Sequence, residues 1–165
     1  MEDKICIRRM TEEDIPQAVE IEKLCFSEPW TEGSYRSCFL RDGTQSWFYA
    51  AVREDCPEEL LGIVGLSRMG DDGEIANVAV RPQHRRKGIA RMLMEKALAD
   101  GSSSLGLHDF TLEVRAGNDA AIRLYESEGF RIDGRLRRCL RREADWRLQH
   151  TVSENTLADA GSHAG

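Results

Sequence analysis

The run from Ile75 to Leu98 constrains this chain more than any other stretch. It opens with the largely apolar Ile75-Ala76-Asn77-Val78-Ala79-Val80 and passes through the basic Arg81-Pro82-Gln83-His84-Arg85-Arg86-Lys87-Gly88. It closes in Ile89-Ala90-Arg91-Met92-Leu93-Met94-Glu95-Lys96-Ala97-Leu98, where apolar residues recur at helical spacing. The pattern predicts a strand, a basic glycine-containing turn and a helix. The first N–H groups of a helix have no partner within it, and the helix dipole is positive there. Such a helix start favours an anion, a phosphate or pyrophosphate above all. Gly88 lets the backbone approach a ligand closely, and Ala90 is small enough not to block it. Arg85, Arg86 and Lys87 add positive charge beside the same place. Neither a Walker pattern nor a full Gly-x-Gly-x-x-Gly occurs here, so nucleotide and dinucleotide loops explain the run less well.

A length of 165 residues suits one domain, and 41% hydrophobic content supplies one core. The formal charge of -6 argues against a general nucleic-acid binder and would steer a cationic amine or basic peptide toward the protein. No apolar run approaches the ~20 residues that cross a bilayer, and the segment Met1 to Arg9 has no signal-like apolar core. Five scattered cysteines, Cys6, Cys25, Cys38, Cys56 and Cys139, form an odd set without a Cys-x-x-Cys pair. They read as reduced thiols in a cytoplasmic protein, with no disulfide frame and no metal site expected.

The remaining elements follow from periodicity and punctuation. Ile5–Arg9 predicts a strand, and Thr11 with its acidic neighbours starts a helix that runs to Phe26. Ile15, Val19, Ile21, Glu22 and Leu24 form its stripe. Ser27-Glu28-Pro29-Trp30 ends it, and a second short helix runs from about Thr31 to Leu40. Arg41-Asp42-Gly43 is a turn. Strands follow at Ser46–Val52 and Leu60–Ser67, with a turn at Asp55–Glu59 between them and a hairpin turn at Asp71-Asp72-Gly73 after them. The helix that starts at Ile89 is expected to end near Asp100. Asp109–Arg115 alternates as a strand, Asn118 caps a helix from Asp119 to about Glu128, and Phe130-Arg131-Ile132 begins another strand. Hairpins followed by strand–helix–strand units predict an α/β fold with a mixed sheet.

Three residues could carry proton-transfer or ligand-binding chemistry. Glu113 lies at the end of a strand with Thr111 and Arg115 on its face, where desolvation beside a cleft would help it take a proton. It also reads as a solvated strand residue paired with Arg115 or Arg123. Tyr125 offers a neutral O–H donor, and equally reads as a helix tyrosine packed on the sheet. Asn118 reads as an N-cap that could also bond an amide of a bound ligand.

Residues Arg85-x-x-Gly88-x-Ala90 resemble the acetyl-CoA pyrophosphate loop of the GNAT family of N-acetyltransferases. Phe26-Ser27-Glu28-Pro29-Trp30-Thr31, Ile75 to Ala90, and Leu112 to Phe130 resemble its ribosomal-protein alanine N-acetyltransferases in the same order. The resemblance covers residues 4 to about 133 and implies the GNAT fold, a mixed, mostly antiparallel sheet flanked by helices. It implies Glu113 as proton acceptor, Tyr125 as proton donor, and Asn118 as an acetyl-CoA ligand. It also implies that Val78, Ala79 and Val80, with the turn Arg86, Lys87, Gly88, Ile89, Ala90 and Arg91, hold acetyl-CoA. In this family the two strands beside the cleft splay, which would leave main-chain groups of Val78 and Val80 for the amides of pantetheine. The implied partner is the N-terminal peptide of a protein, with a ribosomal alanine foremost; no membrane or direct nucleic-acid partner is expected. Trp30 and Tyr35 are candidates to line the peptide groove, although Trp30 also reads as core packing.

After Asp133 the resemblance stops. Residues 134–147 are arginine-rich and do not read as a strand, and the polar end from Thr151 to Gly165 is expected to be disordered. The expected division is therefore a domain over 1–133 and an atypical segment over 134–165. Either the segment is a helix near Leu136–Leu148 that docks on the domain or binds an anionic partner, or a shifted reading frame has replaced the final hairpin. The second reading is the expectation carried forward. It deprives the last strand of its partner and removes part of the peptide groove.

Overall fold

A computed structural model describes residues 4–26, 29–40, 45–115, 118–136 and 145–151. The expected turn at Arg41–Gly43, the Ser27-Glu28 break and the tail beyond Thr151 lie outside the described residues. The order is β1 (Ile5–Arg9), α1 (Ile15–Cys25), α2 (Glu32–Leu40), β2 (Ser46–Arg53), β3 (Cys56–Met69), β4 (Asp72–Val80), α3 (Ile89–Ser103), β5 (Asp109–Arg115), α4 (Asp119–Ser127), β6 (Arg131–Leu136) and β7 (Asp145–Thr151). Single 3-10 turns at Glu12–Asp14 and Pro82–His84 lead into α1 and toward α3.

The strands form one sheet in the order β1-β2-β3-β4-β5-β7-β6. Among the described strands only the β4–β5 pairing is parallel; the others are antiparallel. β2 explains why the sheet carries two layers. Its sequence Trp47-Phe48-Tyr49-Ala50-Ala51-Val52 is buried throughout. Trp47, Tyr49 and Ala51 join one core with α3, α4 and Leu148, while Phe48, Ala50 and Val52 join a second core with α1 and α2. An apolar run without polar alternation is what a strand covered on both faces requires.

Several boundaries move from their expected places. The β2–β3 turn tightens to Glu54-Asp55, because Arg53 pairs with Cys56 and the irregular register near Val52 takes up the next residues. The β3–β4 turn falls one residue early, at Gly70-Asp71, with Met69 paired to Asp72. α3 runs on to Ser103, where Ser102 Oγ donates to Leu98 O at 2.8 Å and Ser103 Oγ to Ala99 O at 2.6 Å. In α1 the buried face holds Ile15, Ala18, Ile21 and Glu22, and Leu24 is exposed.

The largest correction is β7. The expectation of a helix reaching Leu148, or of a final strand left alone, fails: Asp145–Thr151 inserts between β5 and β6 and pairs antiparallel with β5 throughout and with β6 from Asp145 to Gln149, while residues 137–144 of the expected helix lie outside the described residues. Leu148 is fully buried in the core shared with α3 and α4. In the sequence, Trp146 and Leu148 alternate with Arg147 and Gln149 at a spacing of two, which suits a strand.

α3 lies close against β3. A Cβ built on Gly62 would stand 2.8 Å from the main-chain oxygen of Ala79 and 3.2–3.3 Å from Leu93 and Ile89. We expect Gly62→Ala to destabilise the fold by about 1–3 kcal/mol, the usual range for overpacking. A urea midpoint equal to that of the parent protein would show that β3 and β4 can separate here without loss.

Candidate active site

The sheet opens in the middle. β4 and β5 pair only through Gly73–Phe110, Glu74–Thr111 and Ile75–Leu112. Both strands then continue, β4 to Val80 and β5 to Arg115, without pairing to each other. β4 turns away at a bulge. Ala76 and Ala79 pair with Gly65 and Ile63, so Asn77 and Val78 stand opposite the single residue Val64. Asn77 takes φ 57°, a left-handed conformation that asparagine tolerates better than most residues. The result is a wedge-shaped gap whose mouth is flanked by the starts of α3 and α4, since each helix follows one of the two strands.

At the start of α3 the chain is left-handed at Arg86 (φ 65°) and Gly88 (φ 77°). A residue with a Cβ at the Gly88 position would be strained by about 1–2 kcal/mol even though the space beside it is open. The first helical bond of α3 runs from Met92 N to Gly88 O, so the N–H groups of Ile89, Ala90 and Arg91 come before it. Arg85, Arg86, Lys87 and Gly88 are exposed around this helix start. Main-chain donors, the positive end of a helix of 15 residues and three cationic side chains together suit a diphosphate.

The side chains of the loop differ in what they already hold. Arg85 Nε donates to Val80 O at 3.3 Å, and Cys25 Sγ reaches the same oxygen at 3.4 Å. That carbonyl of β4 is therefore engaged from the α1 side. Val78 is half-buried, while Ala79 and Val80 are buried. Lys87 Nζ lies 3.3 Å from His84 Nδ1. The Arg91 side chain turns away from the loop and donates to Glu128 and, at 3.0 Å, to Ser127 Oγ at the end of α4. Arg91 thus offers its N–H to the anion corner and its guanidinium to another helix.

On the other wall, Glu113 is the first residue of β5 beyond the last one paired with β4. Its neighbours Leu112 and Val114 are buried and Glu113 is exposed, so burial does not strip it of water as the sequence reading expected. Asn118 is the N-cap of α4, with its side-chain oxygen accepting from Ala121 N at 3.3 Å. Tyr125 is buried; its ring lies 6.3 Å from that of Phe130, edge to face. Burial pushes its phenol up to about 12. The group is therefore a neutral O–H donor at any ordinary pH.

The α1–α2 side holds the two residues expected to line a peptide groove. Trp30 is half-buried, its ring 5.4 Å from Tyr35 and 6.0 Å from Phe48. Tyr35 has no exposed surface and donates its hydroxyl to Glu22 at 2.8 Å. It supports Trp30 from behind and does not present itself to a ligand. Glu22 also accepts from Trp30 N at 3.2 Å, so one buried carboxylate ties the entrance loop to α2. Its burial drives the proton affinity up, against the two hydrogen bonds that favour the charged form. The sequence reading placed Glu22 in an apolar stripe without assigning it this task; an acid at a core position of a helix was the available signal.

Residues 15–130 match the Acetyltransferase (GNAT) family. The chain is 34% identical over 117 residues to the [Ribosomal protein bS18]-alanine N-acetyltransferase of Salmonella typhimurium, covering 71% of this chain and 74% of that protein. It is 30% identical over 134 residues to the putative [ribosomal protein bS18]-alanine N-acetyltransferase of Bacillus subtilis, covering 81% and 85%. The crystal structure of the ribosomal-protein-S18-alanine N-acetyltransferase from Escherichia coli superposes with a TM-score of 0.78 at 28% identity, over 90% of this chain and 94% of that one. The chain belongs to the GNAT family: it is an N-acetyltransferase that uses acetyl-CoA.

Proposed function

We propose that this protein transfers the acetyl group of acetyl-CoA to the α-amine of a protein N-terminus, foremost the N-terminal alanine of a small-subunit ribosomal protein. The observation that carries the reading is the β4–β5 gap, with an anion-binding corner on one side and Glu113 at the point of separation on the other. The relatives named for action on bS18 alanine support the choice of acceptor. The net charge of -6 suits a cationic peptide end. Among the described residues no helix is long and apolar enough to cross a membrane. A cytoplasmic site of action follows from the acceptor we propose.

In this reading the diphosphate of acetyl-CoA sits on the N–H groups of Ile89, Ala90 and Arg91, with Arg85, Arg86 and Lys87 around it. Pantetheine lies in the gap along Val78, Ala79 and Val80 and meets Asn118 at the start of α4. Glu113 takes a proton from the ammonium of the acceptor, directly or through one water. The amine attacks the thioester carbonyl, its nitrogen gives up its second proton to solvent, the C–S bond breaks with its electron pair on sulfur, and Tyr125 donates a hydrogen bond to the departing thiolate, which then takes a proton from solvent. Transfer is direct within a ternary complex. Trp30, held by Glu22, borders the acceptor path.

The test is acetyl transfer read by intact mass on three acceptors. These are a peptide with a free alanine N-terminus, the same peptide N-blocked but carrying an internal lysine, and spermidine. We expect one 42 Da addition, on the first peptide only, the mass of an acetyl group replacing one amine hydrogen. Addition to the blocked peptide or to spermidine would replace the proposed acceptor class. Binding of acetyl-CoA with no product on any of them would mark a CoA-binding protein without turnover.

A further inference from the structure

The end of α4 breaks a local electrostatic rule. Glu128 is the C-cap of α4, where the negative end of the helix dipole disfavours an acid. Its side chain is only 10% exposed. Burial raises its proton affinity, and the like charge of Glu95 on α3 adds to this. The opposing contribution comes from Arg91 on α3, whose guanidinium bonds Glu128 and also Ser127 Oγ. An arrangement so costly to three carboxylate-disfavouring influences is held together by one arginine. That arginine is also the third residue of α3, ahead of the first helical bond.

The other end of the contact is Tyr125. Its carbonyl oxygen accepts from Glu128 N at 3.1 Å and from Phe130 N at 3.0 Å, so Tyr125 and Glu128 share the closing turn of α4. Phe130 in turn packs on the Tyr125 ring. A movement of the Glu128 side chain therefore acts on the turn that sets the phenol. One residue joins the anion corner through its main chain to the helix of the proposed donor through its side chain.

We infer that Arg91 is a positioning residue: its bridge to Glu128 and Ser127 couples occupancy of the anion corner to the placement of Tyr125. This deepens the functional reading above and rests on it. Coenzyme A bound at the start of α3 fixes the backbone of Arg91, and the fixed guanidinium then holds the end of α4. The side chain of Arg91 adds nothing of its own to the grip on the diphosphate.

The test compares the full-length protein with Arg91→Gln, Arg91→Lys, Glu128→Gln and the charge exchange Arg91→Glu/Glu128→Arg. Coenzyme A affinity is read by calorimetry, turnover with the alanine-ended peptide, and amide exchange over residues 124–130 with and without coenzyme A. In the parent, coenzyme A should slow exchange in that segment. Arg91→Gln and Glu128→Gln should bind coenzyme A within about twofold of the parent, lose the slowing, and lower kcat about tenfold with KM for acetyl-CoA little changed. Arg91→Lys should keep part of the effect and the charge exchange should restore part of it. A large loss of coenzyme A affinity in Arg91→Gln would make the guanidinium a direct anion ligand and overturn the inference. Parent-like exchange and kcat in Glu128→Gln, which leaves Arg91 intact and needs no refolding of α3, would overturn it as well. A parent protein that does not bind coenzyme A would instead sink the functional reading itself.

Discussion

Glu113→Gln is expected to lower the acetyl-transfer rate about 10²–10⁴-fold, the usual worth of a positioned general base, while coenzyme A affinity stays unchanged. The substitution keeps the shape and the hydrogen-bonding reach of the side chain and removes its capacity to take a proton. An α-amine titrates near ~7.7–8.0, so at neutral pH most acceptor molecules arrive as the unreactive ammonium. Raising the pH deprotonates the amine without help from the protein. The deficit of the variant should therefore narrow as pH rises through that range. Calorimetry with coenzyme A separates this loss from damage to the cofactor corner, because Glu113 belongs to β5 and the corner to α3. A variant as fast as the parent at neutral pH would remove Glu113 from the role and leave a bulk water or another carboxylate to accept the proton.

The elements around the proposed cofactor corner were legible in the sequence because they are local. One strand, one turn and one helix follow one another in 24 consecutive residues, Ile75 to Leu98, and Gly88 takes the left-handed conformation before the helix. The cap at Asn118 was legible for the same reason. The gap in the sheet was not legible from periodicity. It depends on where β4 stops pairing with β5, and on a bulge at Asn77-Val78 that no pattern of apolar residues announces. Tyr35 misled for a related reason. An aromatic residue near a proline and a tryptophan looks like a groove wall, yet here its hydroxyl is satisfied by Glu22, thirteen residues earlier in the chain. The final strand was hidden by composition: the arginines of 135–142 outweighed the short alternation of Trp146 and Leu148 that follows them. Inserted between β5 and β6, β7 supplies Glu113 with a paired neighbour strand, so the proposed base stands on an internal strand.

Tyr125→Phe should slow turnover by about 10–150-fold, the equivalent of one hydrogen bond of roughly 1.5–3 kcal/mol to a charged group. The size follows from the environment of the phenol. Burial holds Tyr125 up to about 12, whereas an ordinary thiol titrates near ~8.5. Complete proton transfer from this phenol to a thiolate is therefore uphill by several pKa units. In the mechanism we propose, the buried hydroxyl supplies a dry, fixed hydrogen bond to the sulfur as its charge develops, and solvent delivers the proton to coenzyme A after departure. This sets the loss below that of a missing general base. It also fixes the pH behaviour: burial favours the neutral form, so the phenol stays protonated as pH rises and is lost as a donor only near its raised value. The parent should show no falling limb from Tyr125 below about pH 11, and the Phe variant should have the same profile shape at a lower level. Phenylalanine keeps the packing on Phe130, so thermal stability should hold. A falling limb near pH 9–10 in the parent that disappears in Tyr125→Phe would show a phenol that titrates as an acid, and would replace hydrogen bonding by full proton donation.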